Sequence, residues 1–256
     1  MSHANPQVCL VVIGNEILSG RTVDKNINYV AKGCAERGLS LQEVRIIPDK
    51  PEVIVATINQ VRAIYDQVFT TGGIGPTHDD ITSECVAQAF GLPWEPHPEA
   101  WARMERSYPP GQFNAARQRM ATMPRGATLI DNPISTAPGF SIGNVHVMAG
   151  VPRIMQAMFD NIAHRLASGP PIKMQAVHVV RLGEGVLATG LAAIQHDFPD
   201  VDLGSYPFYR PSANGVAVVA KGTDEARLTS AIAAVTELIT TLGGTPVQGE
   251  PPDQDA

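Results

Sequence analysis

The residues best suited to chemistry in this sequence stand in one run, Gly72-Gly73-Ile74-Gly75-Pro76-Thr77-His78-Asp79-Asp80. Three glycines within four positions leave backbone N–H groups unshielded by any Cβ, so a ligand can approach closely and positive φ is open. The helix expected to follow aims its N-terminus at the same space, which favours a phosphate or a carboxylate. Asp79 and Asp80 add two acids at that N-terminus. One of them would serve as a helix cap, worth about 1 kcal/mol. Two behind a glycine turn exceed that need, and they would repel a bound phosphate unless a divalent cation bridged them. Hard oxygen ligands suit Mg²⁺, which takes one or two carboxylates together with phosphate oxygens and water. The run is neither a Walker A loop, since no Gly-Lys-Ser/Thr follows, nor a G-x-G-x-x-G turn.

Other single residues say less alone. Asp49, in Ile47-Pro48-Asp49-Lys50-Pro51, reads as a capping turn residue. Glu16 and Asp24 are acids of a short loop and a first helical turn, where the helix dipole accommodates them. His78 either ligates a metal or lies solvated beside two acids. The other histidines, from His3 to His196, show no ligand spacing. Cys9, Cys34 and Cys85 each fall in an apolar pattern without C-x-x-C pairing, which predicts core thiols in a reducing compartment.

The elements that must position these residues follow from periodicity. Val8–Ile13 is a continuous β-branched run stopping at Gly14, the pattern of a strand buried on both faces. Thr22 is placed to cap a helix carrying Ile27, Val30 and Cys34, with Gly38 as its stop. Leu41–Ile47 alternates as a strand, and Pro51 opens a helix through Ile54, Ile58, Val61 and Tyr65. Val68–Thr71 is a short strand closed by the glycines, and a helical stripe from Ile81 to Ala89 ends at Gly91. Strand–helix alternation with short connections predicts a parallel sheet with helices on both sides, a three-layer α/β domain. With the first strand central, the loops Gly14-Asn15-Glu16 and Gly72–Asp80 open on one crevice between strands one and three.

Residues 98–120 read as two polar helices broken at Tyr108-Pro109-Pro110-Gly111. Strands are expected at Thr128–Ile130, Gly139–Ile142 and Val145–Met148, and Pro152 opens an amphipathic helix. A boundary falls at Ser168-Gly169-Pro170-Pro171, giving a first domain over 1–169. Residues 172–248 alternate as βαββα, a small α+β domain, and 249–256 form a polar tail expected to be disordered.

The 256 residues carry 19 basic and 25 acidic side chains, a net charge of −6. Residues 171–256 hold five of the basic and ten of the acidic groups, so the acidity is mostly C-terminal. Such a balance argues against a nucleic-acid or anionic-membrane binder. In the near-neutral first domain, Arg103, Arg106, Arg117, Arg119 and Arg125 cluster against Glu105 alone, which suits a small anion. Neither a secretory signal nor a spanning segment is evident, so a cytoplasmic location is expected.

Gly14-Asn15-Glu16-Ile17-Leu18-Ser19-Gly20, Asp24 with Asn26, and Thr70-Thr71 leading into Gly72–Asp80 resemble the MoaB/Mog molybdopterin-binding domain. The version is that of the CinA-like (competence/damage-inducible protein A) family. Asn132-Pro133, Ala137-Pro138-Gly139-Phe140 and Ala149-Gly150-Val151-Pro152 continue the match in order, over residues 8 to 167. Residues 172–248 also resemble the small domain that follows in that family. Long members carry a further nicotinamide-nucleotide amidase domain that this sequence does not include. Ser135 and Ala149 stand where those members usually have Gly and Pro. That brings the sequence nearer to short members and to the domain fused to some FAD synthases.

The resemblance implies phosphoanhydride chemistry on a nucleotide or pterin, with molybdopterin or a nucleotide as ligand and Mg²⁺ or another divalent cation. Either a pyrophosphatase of ADP-ribose or FAD type or a molybdopterin adenylyltransferase fits, with a non-catalytic binding module as the third alternative. By motif position Asp49 and Asp80 resemble the catalytic acids, and Asp79 with Asp80 the metal ligands. Gly14, Asn15, Glu16, Thr71, Gly72, Gly73, Gly75, Pro76 and Thr77 fall at the ligand-binding turns. Asn114 and Arg117 fall in an N-x-x-R-like segment. A homo-oligomer, dimer or trimer, is expected of the family.

Overall fold

A computed structural model describes residues 5–166, 168–210 and 214–252. The chain divides into two compact units, Met1–Pro170 and Pro171–Ala256.

The first unit is built on a six-stranded sheet. Its strands are β1 (Gln7–Ile13), β2 (Ser40–Ile47), β3 (Gln67–Thr71), β6 (Thr128–Ile130), β7 (Gly139–Ile142) and β8 (Val145–Met148), in the order β2-β1-β3-β8-β7-β6. The pairs β1–β2, β1–β3 and β3–β8 are parallel, whereas β7 runs antiparallel to both β8 and β6. The parallel sheet therefore gains an antiparallel margin that strand–helix alternation does not reveal. β1 is central because both its faces are apolar: Val8, Leu10 and Val12 enter one core, Cys9, Val11 and Ile13 the other. Helices α2 (Asn26–Glu36) and α7 (Pro152–Ala163) cover the first core; α3 (Pro51–Val61) and α4 (Thr82–Phe90) cover the second. The three cysteines are free and buried, and burial pushes the Cys34 thiol up to about 12.

Several boundaries differ from the sequence expectation for local reasons. A single helical turn, α1 (Asn15–Leu18), follows β1 directly. The helix assigned to a Thr22 cap starts later, because Asp24 Oδ1 accepts the amides of Asn26 (2.9 Å) and Ile27 (2.7 Å). A small hairpin of β4 (Trp94–Pro96) and β5 (Thr122–Pro124) brackets the helices α5 (Pro98–Ser107) and α6 (Ala115–Arg119).

The second unit has an antiparallel sheet in the order β10-β11-β9-β12, from β9 (Lys173–Val180), β10 (Asp202–Tyr209), β11 (Asn214–Gly222) and β12 (Val247–Gln248). Helices α8 (Glu184–Asp197) and α9 (Glu225–Thr241) pack against one face, around Val177, Val218 and Leu228. Gly249, at the head of the expected tail, donates its N–H to the Ala176 carbonyl and accepts from His178 Nδ1 through its own carbonyl. The last four positions of that tail, 253–256, lie outside the described residues.

Candidate functional site

The strand order reverses direction at β1: the chain passes from β1 outward to β2, then back across β1 to β3. Loops leaving β1 and β3 must therefore diverge there, and they open a cavity of about 570 Å³ at the carboxyl ends of the strands. That volume suits a small organic ligand.

The glycine turn forms one wall. Gly72 (φ 103) and Gly73 (φ 68) occupy the left-handed region. A Cβ on Gly72 would stand 2.1 Å from the Ile13 carbonyl oxygen, so only glycine lets β3 end this close to β1. The Gly72 N–H donates to the Met148 carbonyl and the Gly73 carbonyl accepts from Thr82, which ties the turn to β8 and α4. Buried hydroxyls of Thr71 and Thr82 flank the turn without a hydrogen-bond partner among the described residues. Beyond it, Asp80 Oδ2 accepts the Thr77 amide at 2.8 Å and also the Thr77 hydroxyl.

Acids line the same cavity. Asp49, two residues past β2, accepts the Asn15 amide on Oδ2 at 2.8 Å. Burial pushes its carboxyl above the usual range against the pull of that amide, and the charges of Glu16 and Asp79 push in the same direction. Asp79 sits below its ordinary value, through the Thr77 side chain foremost. Met120, Val151, Ile154 and Met158 add apolar lining to the cavity.

Of the residues singled out in the sequence, Gly14, Glu16, Asp49, Gly72, Gly73, Gly75, Pro76, Thr77, Asp79 and Asp80 line this cavity. Asn15 and Thr71 stand behind it, one through its amide and the other as a buried strand end. Asn114 and Arg117 stay within their own segment: Asn114 Oδ1 caps α6 by accepting the Arg117 amide. The Arg117 guanidinium donates to the Gln112 carbonyl and lies 4.3 Å from the Tyr108 ring centre.

Arg119, which the sequence marks only as one of five clustered arginines, faces the glycine turn instead. It donates to the Asp80 carbonyl at 3.5 Å, stands 3.7 Å from Glu84 and stacks over Trp94. Asn132 is a second residue whose part spacing does not disclose. Its side chain accepts the amides of Ile134 and Ser135 and donates to the Ala137 carbonyl, fixing the loop that closes the cavity. Asn26, the buried first residue of α2, donates to the carbonyl of Gly150, itself part of the cavity lining, at 2.9 Å.

Among the described residues no three His, Cys, Asp or Glu side chains converge as a metal cage. The donor set of the cavity is all-oxygen, however: Asp79 and Asp80 both line it, and Asp80 keeps one carboxylate oxygen beyond the one engaged above. Two such ligands are what Mg²⁺ takes from a protein when phosphate oxygens complete its shell. The residues fit a cation that arrives with a polyphosphate rather than one held by protein alone.

A doubly wound α/β domain with a glycine turn and acids at its switch point fits a small ligand of the nucleotide or pterin class. Residues 9–168 match the family described as "Probable molybdopterin binding domain", and the chain belongs to that MoaB/Mog-type family, among its CinA-like members. Residues 174–243 match the family "FAD synthase, middle domain". A protein of Archaeoglobus fulgidus is 31% identical over 230 residues, covering 90% of this chain and 96% of its own. A CinA-like protein of Chloroherpeton thalassium is 30% identical over 225 residues, 81% of this chain but 52% of that protein. The crystal structure of the protein CinA with unknown function from Thermoplasma acidophilum is 28% identical, with a TM-score of 0.60. It covers 64% of this chain and 99% of its own. No described helix is long and apolar enough to cross a membrane.

Proposed function

We propose that the switch-point cavity binds a nucleotide carrying a diphosphate, of ADP-ribose or FAD type, and that the protein hydrolyses its phosphoanhydride with a divalent cation. The observation that carries this reading is the convergence, in one cavity, of the Gly72–Gly75 turn and the carboxylates of Asp49, Asp79 and Asp80. Backbone N–H groups would meet phosphoryl oxygens there, and the acids a cation and a nucleophile. The match of the second unit to a family named for FAD synthase supports a flavin- or adenine-nucleotide substrate over a free pterin.

A bound Mg²⁺ would supply charge neutralisation at the diphosphate and orient its oxygens. Asp79 and Asp80 would hold it. The Gly73 and Gly75 N–H groups would bind the phosphoryl oxygens, and the apolar lining of Met120, Ile154 and Met158 would exclude water from the organic part of the ligand. Asp49 keeps one oxygen free while Asn15 fixes the other. That oxygen can take a proton from the attacking water as the new P–O bond forms, and the departing phosphate carries away the electron pair of the broken anhydride.

The test is turnover of ADP-ribose, FAD and ATP by the full chain with Mg²⁺, Mn²⁺ or Co²⁺, one ATP arm containing molybdopterin. AMP released from ADP-ribose or FAD, only with metal, supports the reading. Adenylyl transfer confined to the molybdopterin arm would replace it with an adenylyltransferase, and tight binding without turnover would make the protein a binding module.

A further inference from the structure

Four carboxylates line the switch-point cavity, those of Glu16, Asp49, Asp79 and Asp80, and among the described residues no lysine or arginine does. Arg119, the last residue of α6, is not in that lining. It borders a small hollow whose walls include Ile74, Gly75, Asp80 and Met120, four residues that also line the cavity. The turn that carries Asp80 is thus shared between the cavity and the hollow that holds Arg119.

Strong pairing does not explain why Arg119 is there. Its guanidinium carbon lies 5.0 Å from the Trp94 ring centre. Trp94 is itself fixed, since its Nε1 donates to Ser83 Oγ and to the Thr122 carbonyl, at 3.0 Å each. A stacked guanidinium keeps its in-plane donors available. Nη2 turns to the Asp80 carbonyl at 3.5 Å and to Glu84 at 3.7 Å, both long. An ion pair that loose and partly exposed adds little stability. The buried Nε has no hydrogen-bond partner among the described residues, which is a cost. What the arrangement does secure is the placing of one fork against the main chain of the turn.

We propose that Arg119 is a positioning residue for Asp80. Stacked on Trp94, it meets the turn at the Asp80 carbonyl, while Thr77 restrains the Asp80 carboxylate from within the turn. Backbone and side chain of one acid are thereby fixed separately, and the carboxylate oxygen left over is held in one place. A lysine at position 119 would keep the charge but lose the plane and the fork. The effect on turnover rests on the phosphoanhydride hydrolysis proposed above, whereas the effect on the order of the turn does not.

Two measurements on the full chain test this. The first is amide hydrogen exchange at Thr77, Asp80, Ile81 and Thr82, whose N–H groups bond within the turn or to Gly73. Arg119→Ala should speed exchange at these four by about tenfold or more, while the amides of β1 keep the wild-type rate. Guanidinium ion added to that variant should slow them again, and methylammonium should not. Arg119→Lys should exchange like Arg119→Ala. The second is steady-state turnover of ADP-ribose with Mg²⁺. Both variants should lower kcat roughly 10- to 100-fold and leave KM within about threefold, because a displaced carboxylate slows the reaction more than it weakens binding.

Unchanged exchange at the four amides of Arg119→Ala would overturn the proposal, and so would exchange raised equally throughout the first unit, the sign of a mere prop of the fold. Wild-type kcat in Arg119→Lys would make Arg119 a point charge, and a raised KM at constant kcat would make it a substrate contact; either result overturns the proposal. A wild type that turns over no nucleotide would remove the hydrolysis reading, and hydrogen exchange would still decide the role of Arg119.

Discussion

The Asn15 amide donates to Asp49 Oδ2 at 2.8 Å, joining the turn that leaves β1 to the turn that leaves β2. One carboxylate thereby orders two walls of the cavity and still presents an oxygen to its interior. Its environment is costly for a charge. Burial, with Glu16 and Asp79, raises the carboxyl above the ordinary 3.8, so the folded protein holds that proton more tightly than the unfolded chain. Stability from this group is therefore lost as pH rises from the ordinary value through the raised one, and the cost persists at neutral pH. Asp49→Asn keeps an acceptor for the Asn15 amide and removes the charge. Its melting temperature at pH 7 should be no lower than that of the wild type, while metal-dependent turnover falls by about 100-fold or more. A clear fall in melting temperature would make Asp49 a structural residue first.

Asp80 is restrained by Thr77 through both amide and hydroxyl. The contact is short-range and exposed, so its net worth is about 1 kcal/mol rather than the value of a buried charged bond. Thr77→Val removes the hydroxyl and keeps the amide. The expected result is a small loss of stability with roughly a tenfold loss of turnover, because a loosened carboxylate no longer meets its ligand in one geometry. Thr77→Ser should restore both. Asp80→Asn, by contrast, should abolish turnover with the fold intact.

The glycine turn offers a sharper structural test. An added Cβ at Gly72 would lie 2.1 Å from the Ile13 oxygen, a backbone atom of the central strand that has nowhere to move. Gly91, which ends α4 at φ 64, has no atom within 4 Å of such a Cβ. Gly91→Ala should cost about 1 kcal/mol for its positive φ alone. Gly72→Ala should cost roughly 3 kcal/mol or more, from strain and steric conflict together. Urea denaturation of the two variants measures the difference, and equal costs would mean that β1 and β3 can separate at the turn.

Much of this arrangement is legible from residues 8–91, where each strand is one apolar run and each helix one stripe. The crevice between β1 and β3 follows from that alternation alone. Legibility fails where contacts depend on distant pairing. Asn132 reaches the cavity because the sheet continues past β3 through β8 and β7 to β6, and Met120 because α6 packs back beside the glycine loop; no local pattern announces either. Arg119 differs from Arg117 by two places on one helical turn, enough to reverse the direction in which it points. Three-residue strands such as Trp94–Pro96 carry too little periodicity to be seen. Asp24 displaced Thr22 as a cap because its carboxylate accepts two amides at once.

His146, in β8, reports on the sheet itself. Its ring lies 5.3 Å from Phe69, with Nδ1 2.8 Å from the Ser141 hydroxyl and Nε2 2.7 Å from Gln67 Oε1. Gln67 Oε1 can only accept, so Nε2 carries the proton and Nδ1 takes the Ser141 hydrogen. Burial holds this neutral form and lowers the imidazole from 6.5 to about 4. The unfolded chain binds a proton first as pH falls, so stability is complete above 6.5 and is lost between 6.5 and about 4. The shift corresponds to roughly 3 kcal/mol across that window. His146→Asn removes the titrating ring, so its stability should fall less steeply with acid than that of the wild type, whatever its value at pH 7. Urea midpoints at intervals between pH 7 and about 4 give the comparison. Parallel curves for the two proteins would mean that His146 takes up its proton in the folded sheet as readily as in the unfolded chain, with Nδ1 then donating to the Ser141 hydroxyl oxygen.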